Sequence, residues 1–353
     1  MESHKSLPAG ATNPRRKIFS ALLRVALLAA AFLVLRRELD GLGLDDLIAN
    51  IRSYGLRHLT LGLAFTVASF LTLGLFELLA LRYVGKRAER IIPRRTAFAT
   101  AFVAHAYSQS VGLAILTGTA VRIRSYSRYG LNALDVTRLS VFVTATATLG
   151  LLTSGSLALL TTPGRANVFN FALSLTPFGI LLLLPVVAYC VWGAFGRSEF
   201  LGSGRRRIRR PSLRLAAEQI SISSLDWALA GAVLFFLLPP TLGVSFSGFL
   251  SVYLIAQTVA VISHVPGGVG VFEAIVLALL AVPANGPTAS PALAASLVAS
   301  LLVYRVVYYL LPLCGAIALS GIAELMRSHR PLISIDGAPM RELRANLADT
   351  DAV

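Results

Sequence analysis

Apolar residues fall into long runs along this chain, and the short stretches between them collect arginine. The first run, Ile18 to Leu35, follows Arg15-Arg16-Lys17 and precedes Arg36-Arg37. Its Ala29-Ala30-Ala31 offers the small residues of a signal-peptide cleavage site, but the apolar run continues past them, which favours a retained span. Gly41 to His58 alternates Leu and Ile with Asp45, Asp46, Arg52 and Arg57, as a short helix lying in the interface would. Further spans are predicted at Leu59 to Leu81, around Val136 to Leu160, at about Leu173 to Ala194, at Leu215 to Leu238 and at Ala292 to about Ala316. Several of these runs reach the roughly 18 or more apolar residues of a bilayer-crossing helix. Two other apolar stretches are interrupted. Thr96 to Val121 is broken at Gly112 and Thr117-Gly118-Thr119, and Phe246 to Ala281 is two apolar pieces joined at Pro266-Gly267-Gly268-Val269-Gly270.

The charges decide how these interrupted stretches sit. Arg82, Lys86, Arg87, Arg90, Arg94 and Arg95, against the single acid Glu89, mark a cytoplasmic loop. Arg122, Arg124, Arg128 and Arg138 mark another, and Arg197, Arg205, Arg206, Arg207, Arg209, Arg210 and Arg214 a third. If Thr96 to Val121 crossed the bilayer, one of these clusters would have to face outward. A re-entrant hairpin that returns to its own side removes the conflict. Irregular backbone at membrane depth is tolerated only where protein or a water-filled cavity shields it, so re-entrance implies a polar interior. The predicted fold is an all-α polytopic membrane protein of about six spanning helices plus two broken re-entrant helical hairpins, about eight hydrophobic segments together. Residues 1–17 form a cytoplasmic tail, 18–326 the membrane domain and 327–353 a second cytoplasmic tail, so both termini are expected in the cytoplasm.

Composition agrees with this class. Of 353 residues, 56% are hydrophobic and 14% charged, and a soluble enzyme is excluded on that balance. The net charge of +15 would point to nucleic acid if the arginines lined a soluble face, but they sit in short loops between apolar runs. Orientation and attraction to anionic headgroups account for them, and no nucleic-acid partner is expected. Cys190 and Cys314 both lie within apolar runs, at a spacing that fits neither a disulfide framework nor a metal knuckle.

Charges inside the apolar runs locate the candidate chemistry. Glu273 follows the glycine turn by one helical turn, Arg305 sits within Leu301 to Tyr309, and Asp226 and Glu77 lie inside other spans. Each costs roughly 2.5 to 3.5 kcal/mol at a helix centre, so each should face a partner or a cavity. A half-helix starting after Gly268 would aim unpaired N–H groups and its positive end toward the bilayer middle, where an anion can bind. Two interrupted segments entering from opposite faces resemble the discontinuous helices of inverted-repeat transporters, although similarity between the two halves is too weak to establish a repeat. The expected site therefore places Arg305 near Glu273, its guanidinium offered to a lipid phosphate, with Gly267, Gly268 and Gly270 at one break and Thr117 and Gly118 at the other. A fixed Glu273–Arg305 pair that only holds helices together is the competing reading. Tyr304 and Tyr308 share a helical face and either line a headgroup pocket or anchor at the interface. Asp226 is a further lining candidate. Arg122 and Arg124, at the cytoplasmic edge of the first hairpin, either gather anionic headgroups or serve as ordinary positive-inside anchors. His105 and His264 are expected to be packed or hydrogen-bonded, with a proton-relay role left open.

At these residues the chain resembles a family. The run Ser108-Gln109-Ser110-Val111-Gly112 to Leu116-Thr117-Gly118-Thr119-Ala120-Val121-Arg122-Ile123-Arg124-Ser125-Tyr126-Ser127 is the first block, and Leu225-Asp226-Trp227 is the second. Val265-Pro266-Gly267-Gly268-Val269-Gly270-Val271-Phe272-Glu273 and Tyr304-Arg305-Val306-Val307-Tyr308-Tyr309-Leu310-Leu311-Pro312 complete the set. Together they are similar to the transmembrane region of lysylphosphatidylglycerol synthases, over nearly the whole chain, and the four in order are more specific than any one. In bifunctional members of that family this region is associated with moving aminoacylated phospholipid between leaflets, while a cytoplasmic acyltransferase-like domain makes the lipid from aminoacyl-tRNA. The tail after the last apolar run is too short for such a domain, so the resemblance implies a stand-alone lipid flippase or lipid-handling protein of a bacterial inner (plasma) membrane. Its implied partner is an anionic or aminoacylated phospholipid. A separate lipid-synthesising enzyme and a second copy of the chain are left open as protein partners.

Two rival classes stand beside this reading. An integral-membrane enzyme on lipid-linked substrates, such as a polyprenyl-phosphate glycosyltransferase, would use Glu273 or Asp226 as base, but no clustered pair of cytoplasmic carboxylates and no His/Cys metal spacing accompanies them. An accessory subunit of a lipid-synthesising enzyme is the other. No cofactor or metal is expected: Gly268-Val269-Gly270 lacks the third glycine of a dinucleotide loop, and nothing reads as a lysine-bearing phosphate loop.

Overall fold

The computed structural model describes residues 55–111, 114–161, 165–168, 171–174, 176–196, 200–201, 208–239, 242–263, 266–280 and 291–328. The expected N-terminal tail, the expected C-terminal tail beyond Ser328, the first apolar run and nearly all of the interfacial stretch lie outside the described residues, while Arg327 and Ser328, placed in the tail by the sequence, continue the last helix. The chain divides into two compact units, Met1–Ala316 and Ile317–Val353. The first contains both hairpins, and the described part of the second is the helix end 317–328.

The helices are α1 (Leu56–Val84), α2 (Lys86–Ile91), α3 (Arg94–Val111), α4 (Ala114–Tyr126), α5 (Ala133–Thr161), α6 (Thr176–Phe195), α7 (Leu213–Leu237), α8 (Phe246–Ile262), α9 (Val271–Leu280), α10 (Pro291–Arg305) and α11 (Leu311–Ser328). Two short antiparallel ribbons occupy loops: β1 (Arg165–Val168) pairs with β2 (Phe171–Ser174), and β3 (Phe200–Leu201) with β4 (Ile208–Arg209). The architecture is otherwise all-α. By length and composition α1, α5, α6 and the helical stretch Ser296–Met326 can each cross a bilayer.

The membrane domain is patterned in the opposite sense to a soluble one. On α1 the polar Thr66, Ser69, Thr72 and Glu77 are buried, whereas Leu63, Val67, Leu71 and Leu75 form an exposed stripe four residues apart. That stripe is one helical face, and it suits contact with acyl chains. Helix α6 exposes apolar side chains along most of its length and buries only Gly179, Val186 and Gly193 among its residues, which makes it peripheral. Small residues bring the inner helices close. Gly150 on α5 lies so near Ser223 of α7 that a Cβ there would sit 2.6 Å from the Ser223 backbone carbon.

The α1–α7 pair is antiparallel: Arg82 reaches Glu218 at 3.7 Å at one end, and Phe65 stacks on Phe236 at 5.1 Å near the other. At the Arg82 end Tyr83 also stacks on Phe142 near the start of α5, at 4.5 Å. Gly193 of α6 there approaches Pro211, just ahead of α7. The arginines after α1 and the described arginines at the start of α7, Arg210 and Arg214, therefore share one end of the domain.

The first hairpin, α3–α4, starts and finishes at that same end. Thr96 and Tyr129, which follow the two Arg-flanked boundaries, have their hydroxyl oxygens 3.1 Å apart. A helix of 13 residues such as α4 is ~20 Å long, short of the ~30 Å hydrocarbon core. The second hairpin, α8–α9, begins at the opposite end, where Phe246 lies 5.2 Å from Phe235 near the end of α7. Its turn folds back on α8, Gly268 lying against Ala260.

Candidate functional site

The tips of the two hairpins meet. Gly267 adopts φ +63 and Gly268 φ +64, a left-handed conformation that side-chain-bearing residues rarely hold. Each site is also crowded: a Cβ on Gly267 would stand 3.4 Å from the Gln109 carbonyl, and one on Gly268 would stand 2.8 Å from Cβ of Ala260. The turn delivers the Gly267 carbonyl to Arg305, which donates to it from Nη1 at 2.7 Å. Gly270 ends the turn as the residue before α9. Its N–H donates to Oε2 of Glu273 at 2.7 Å, a carboxylate reaching back three residues to cap its own helix.

Glu273 and Arg305 are joined as the sequence predicted. Arg305 Nε donates to Glu273 Oε1 at 2.6 Å and Nη2 lies 2.5 Å from the same oxygen, so one carboxylate oxygen holds the guanidinium and the other holds the helix start. The guanidinium stands 4.6 Å over the Tyr309 ring, which adds a cation–π contact. Arg305 is 4% exposed. A small cavity of about 20 Å³ opens beside it, lined by Gln109, Ser110, Gly267, Arg305 and Tyr309 among others. Among the described residues, Gln109 Oε1 and Ser110 Oγ are buried here with no hydrogen-bond partner. The space suits roughly one water and is too small for a phosphate group with its substituents.

A second layer of polar groups backs the junction. Tyr304 and Tyr308 stack at 5.4 Å with an interplanar angle of 9°. Their hydroxyls point to different partners: Tyr304 meets the Tyr253 hydroxyl at 2.9 Å, which also accepts from Gln257 Nε2 at 3.2 Å, and Tyr308 meets Ser69 Oγ at 3.0 Å. Ser69 and Thr72 both donate to Asp226 Oδ1, at 2.6 and 2.8 Å. Asp226 is thus tied to the junction through Ser69 and Tyr308 and does not itself line the small cavity. Both tyrosines are buried, which overturns the interfacial-anchor alternative for them.

The remaining predicted residues belong elsewhere. Arg122 is 5% exposed and turned inward, donating from Nε to both oxygens of Glu77 at 3.0 Å and from Nη2 at 2.8 Å. Tyr126 donates to the same carboxylate at 2.8 Å. A side chain so committed cannot gather headgroups at the edge. Burying Glu77 in α1 required a cation, and Arg122 is the one its neighbour hairpin supplies. Gly118 makes room, since a Cβ there would lie 2.9 Å from Arg122 Nη1 and 3.0 Å from Ser108 Oγ. Thr117, Gly118 and Thr119 lie within helix α4, so the expected break at these three residues is not found, and Gly112, the other expected break, lies outside the described residues. Arg124 is half-buried and His105 packs edge-on to Phe70, while His264 lies outside the described residues.

Sequence reasoning missed several participants. Val306–Leu310 forms a π-helical turn between α10 and α11, directly after Arg305 and carrying Tyr308 and Tyr309. Such turns recur at functional sites, but an unbroken apolar run gives no sign of one. Tyr253 and Gln257 were legible in principle as polar residues in mid-helix, four residues apart on one face of α8, and Gln109 as a polar residue near the end of α3 at the hairpin tip.

Fold and junction define a multi-pass α-helical membrane protein with a charged pair enclosed between two opposed broken hairpins. Residues 21–314 match the lysylphosphatidylglycerol synthase TM region family, and the chain belongs to it. It is 30% identical to the uncharacterized protein slr0712 of Synechocystis over 89% of this chain and 94% of that protein. It is 28% identical to the inner membrane protein YbhN of Escherichia coli, over 87% and 92%. A phosphatidylglycerol lysyltransferase of Staphylococcus aureus is 24% identical over 87% of this chain, but the match spans only 34% of that enzyme.

Proposed function

We propose that the protein moves the headgroup of an anionic or aminoacylated phospholipid between leaflets, with Arg305 as the group that receives the lipid phosphate. The observation that carries this reading is the meeting of two hairpins from opposite ends at one buried guanidinium. A route from each leaflet then ends at the same point. Kinship with a lysyltransferase named for phosphatidylglycerol supports that lipid class.

In this reading the Glu273–Arg305 pair is the resting contact. An arriving phosphate competes with Glu273 for the guanidinium fork, and Gln109 and Ser110 offer further polar contacts. With space for about one water beside Arg305, the tips must part before a headgroup enters. The π-helical turn behind Arg305 supplies a place for α10 to adjust its register as they do. Acyl chains remain in the hydrocarbon, along the exposed apolar stripes. In this reading the arginine-rich end faces the cytoplasm, as the excess of arginine in its loops directs.

Purified protein in vesicles carrying a fluorescent phosphatidylglycerol, read by leaflet-selective quenching, tests the reading. Translocation by the parent and its loss in Arg305→Ala and Glu273→Gln are the expected results. Normal rates in both variants would reject the site. Chemical conversion of the lipid would favour the enzyme reading, and neither activity would favour an accessory role.

A further inference from the structure

A second cleft, at the arginine-rich end and away from the hairpin tips, is not used by the translocation reading. It has a volume of about 410 Å³ and is lined by Arg82, Tyr83, Arg210, Ser212, Arg214, Leu215 and Glu218. That is the size of an ordinary small-ligand pocket. Three arginines face one glutamate. Glu218 lies 3.1 Å from Arg214 and 3.7 Å from Arg82, so a single carboxylate is shared between two cations inside the cleft, and Glu89 meets Arg82 from outside it at 3.4 Å. Arg210 is held differently: its Nη1 donates to the Gly196 carbonyl, which fixes the side chain across the cleft without neutralising it. Ser212 caps α7 by accepting from the Leu215 N–H, and its own O–H can still donate. Positive charge is therefore in excess and part of it is pre-positioned.

We propose that this cleft is a separate binding site for a phosphate group, gripped by Arg210 and Arg214 with Arg82 opposite. Arginine forks match phosphate oxygens in pairs, and the shared Glu218 can release one arginine to an incoming anion. The rim favours an amphiphile. Phe195, immediately before the Gly196 anchor, is 80% exposed, and Leu213 at the start of α7 is 53% exposed, so apolar surface borders the cationic cleft. A phosphate carried by a lipid whose chains lie on that surface and a free phosphate share the same recognition chemistry.

Binding is measured with full-length protein in phosphatidylcholine nanodiscs, using dihexanoyl phosphatidylglycerol and inorganic phosphate as probes. All proteins carry Arg305→Ala, so that the outcome does not depend on the hairpin junction. Arg210→Ala combined with Arg214→Ala is expected to weaken phosphatidylglycerol binding tenfold or more. Arg214→Ala alone, whose side chain is 90% exposed and makes no demand on folding, should shift affinity in the same direction. Raising NaCl from about 50 to about 500 mM should weaken binding to the otherwise unaltered cleft far more than to the double variant. Competition by inorganic phosphate at the same arginines identifies the phosphate alone as the ligand, and arginine-dependent lipid binding without such competition identifies the headgroup with its chains. Equal lipid affinity with and without the arginines, or no binding of either probe, would overturn the proposal.

Discussion

Replacing Glu77 by Gln tests whether the buried Arg122 contact holds the domain together. The Glu77 side chain is fully enclosed, and Arg122 is nearly so. The carboxylate receives Arg122 at 2.8 and 3.0 Å and the Tyr126 hydroxyl at 2.8 Å, so the change leaves a guanidinium without its counter-charge and a phenol facing an amide. Removing one partner of a buried pair costs about 3–5 kcal/mol. In a bilayer the unfolded helices also find partners, which lowers such penalties, so the expected loss is near the bottom of that range, about 3 kcal/mol. Arg122→Met should cost a comparable amount. The double variant Glu77→Leu with Arg122→Met removes both charges together and should recover to within about 1 kcal/mol of the parent. Reversible unfolding by SDS in mixed micelles gives the four stabilities of this cycle. Single variants within about 0.5 kcal/mol of the parent, or purely additive effects, would refute the assignment of this pair as a structural tie.

Other consequences follow from the same geometry. Arg305→Lys keeps the charge but cannot reach Glu273 and the Gly267 carbonyl with one planar fork, so translocation should fall tenfold or more while the protein stays folded; an unchanged rate would mean that charge alone suffices. Tyr308→Phe removes one hydroxyl contact with Ser69 and keeps the stack on Tyr304, which should cost about 1 kcal/mol in the same unfolding assay, and a loss several times larger would contradict the pairwise picture. Gly150→Ala pushes a methyl group into the Ser223 backbone and should destabilise by about 1–3 kcal/mol; an unaltered protein would show that α5 and α7 are further apart than described. Cysteines at Arg90 and Ser127, each introduced singly after Cys190 and Cys314 are replaced by Ala, should react with an impermeant reagent from the same side of the membrane. Labelling from opposite sides would mean that the first hairpin crosses.

What could be read from the sequence was set by electrostatics and chain length. Arginines at both ends of Thr96 to Val121 forced a return to the starting side, and the α3–α4 hairpin does so. A carboxylate and a guanidinium within apolar runs had to find partners, and Glu273 with Arg305 was foreseeable on that ground alone. Partner choice was less legible where several buried ions competed. Glu77 had no partner identified in advance, and Arg122 was read as an edge residue because its neighbours Ile123 and Arg124 sit at a loop boundary. Only the packing of α4 against α3, where Gly118 leaves room for Arg122 Nη1 beside Ser108, turns it inward toward Glu77. Helix-internal changes such as the π-helical turn at Val306–Leu310 come from strain between packed elements, which hydropathy does not record. The last apolar run is read as ending near Ala316, whereas the helix continues through Ser320 and Gly321 to Ser328.

The most direct test of the account is to tie the hairpin tips together. With Cys190 and Cys314 replaced by Ala, cysteines at Gln109 and Val269, which both line the small cavity, can be bridged by a short reducible bifunctional reagent. If a headgroup passes only when the tips part, bridged protein in vesicles should lose leaflet exchange of phosphatidylglycerol and regain it on reduction. Exchange that continues at the full rate across bridged tips would contradict the account.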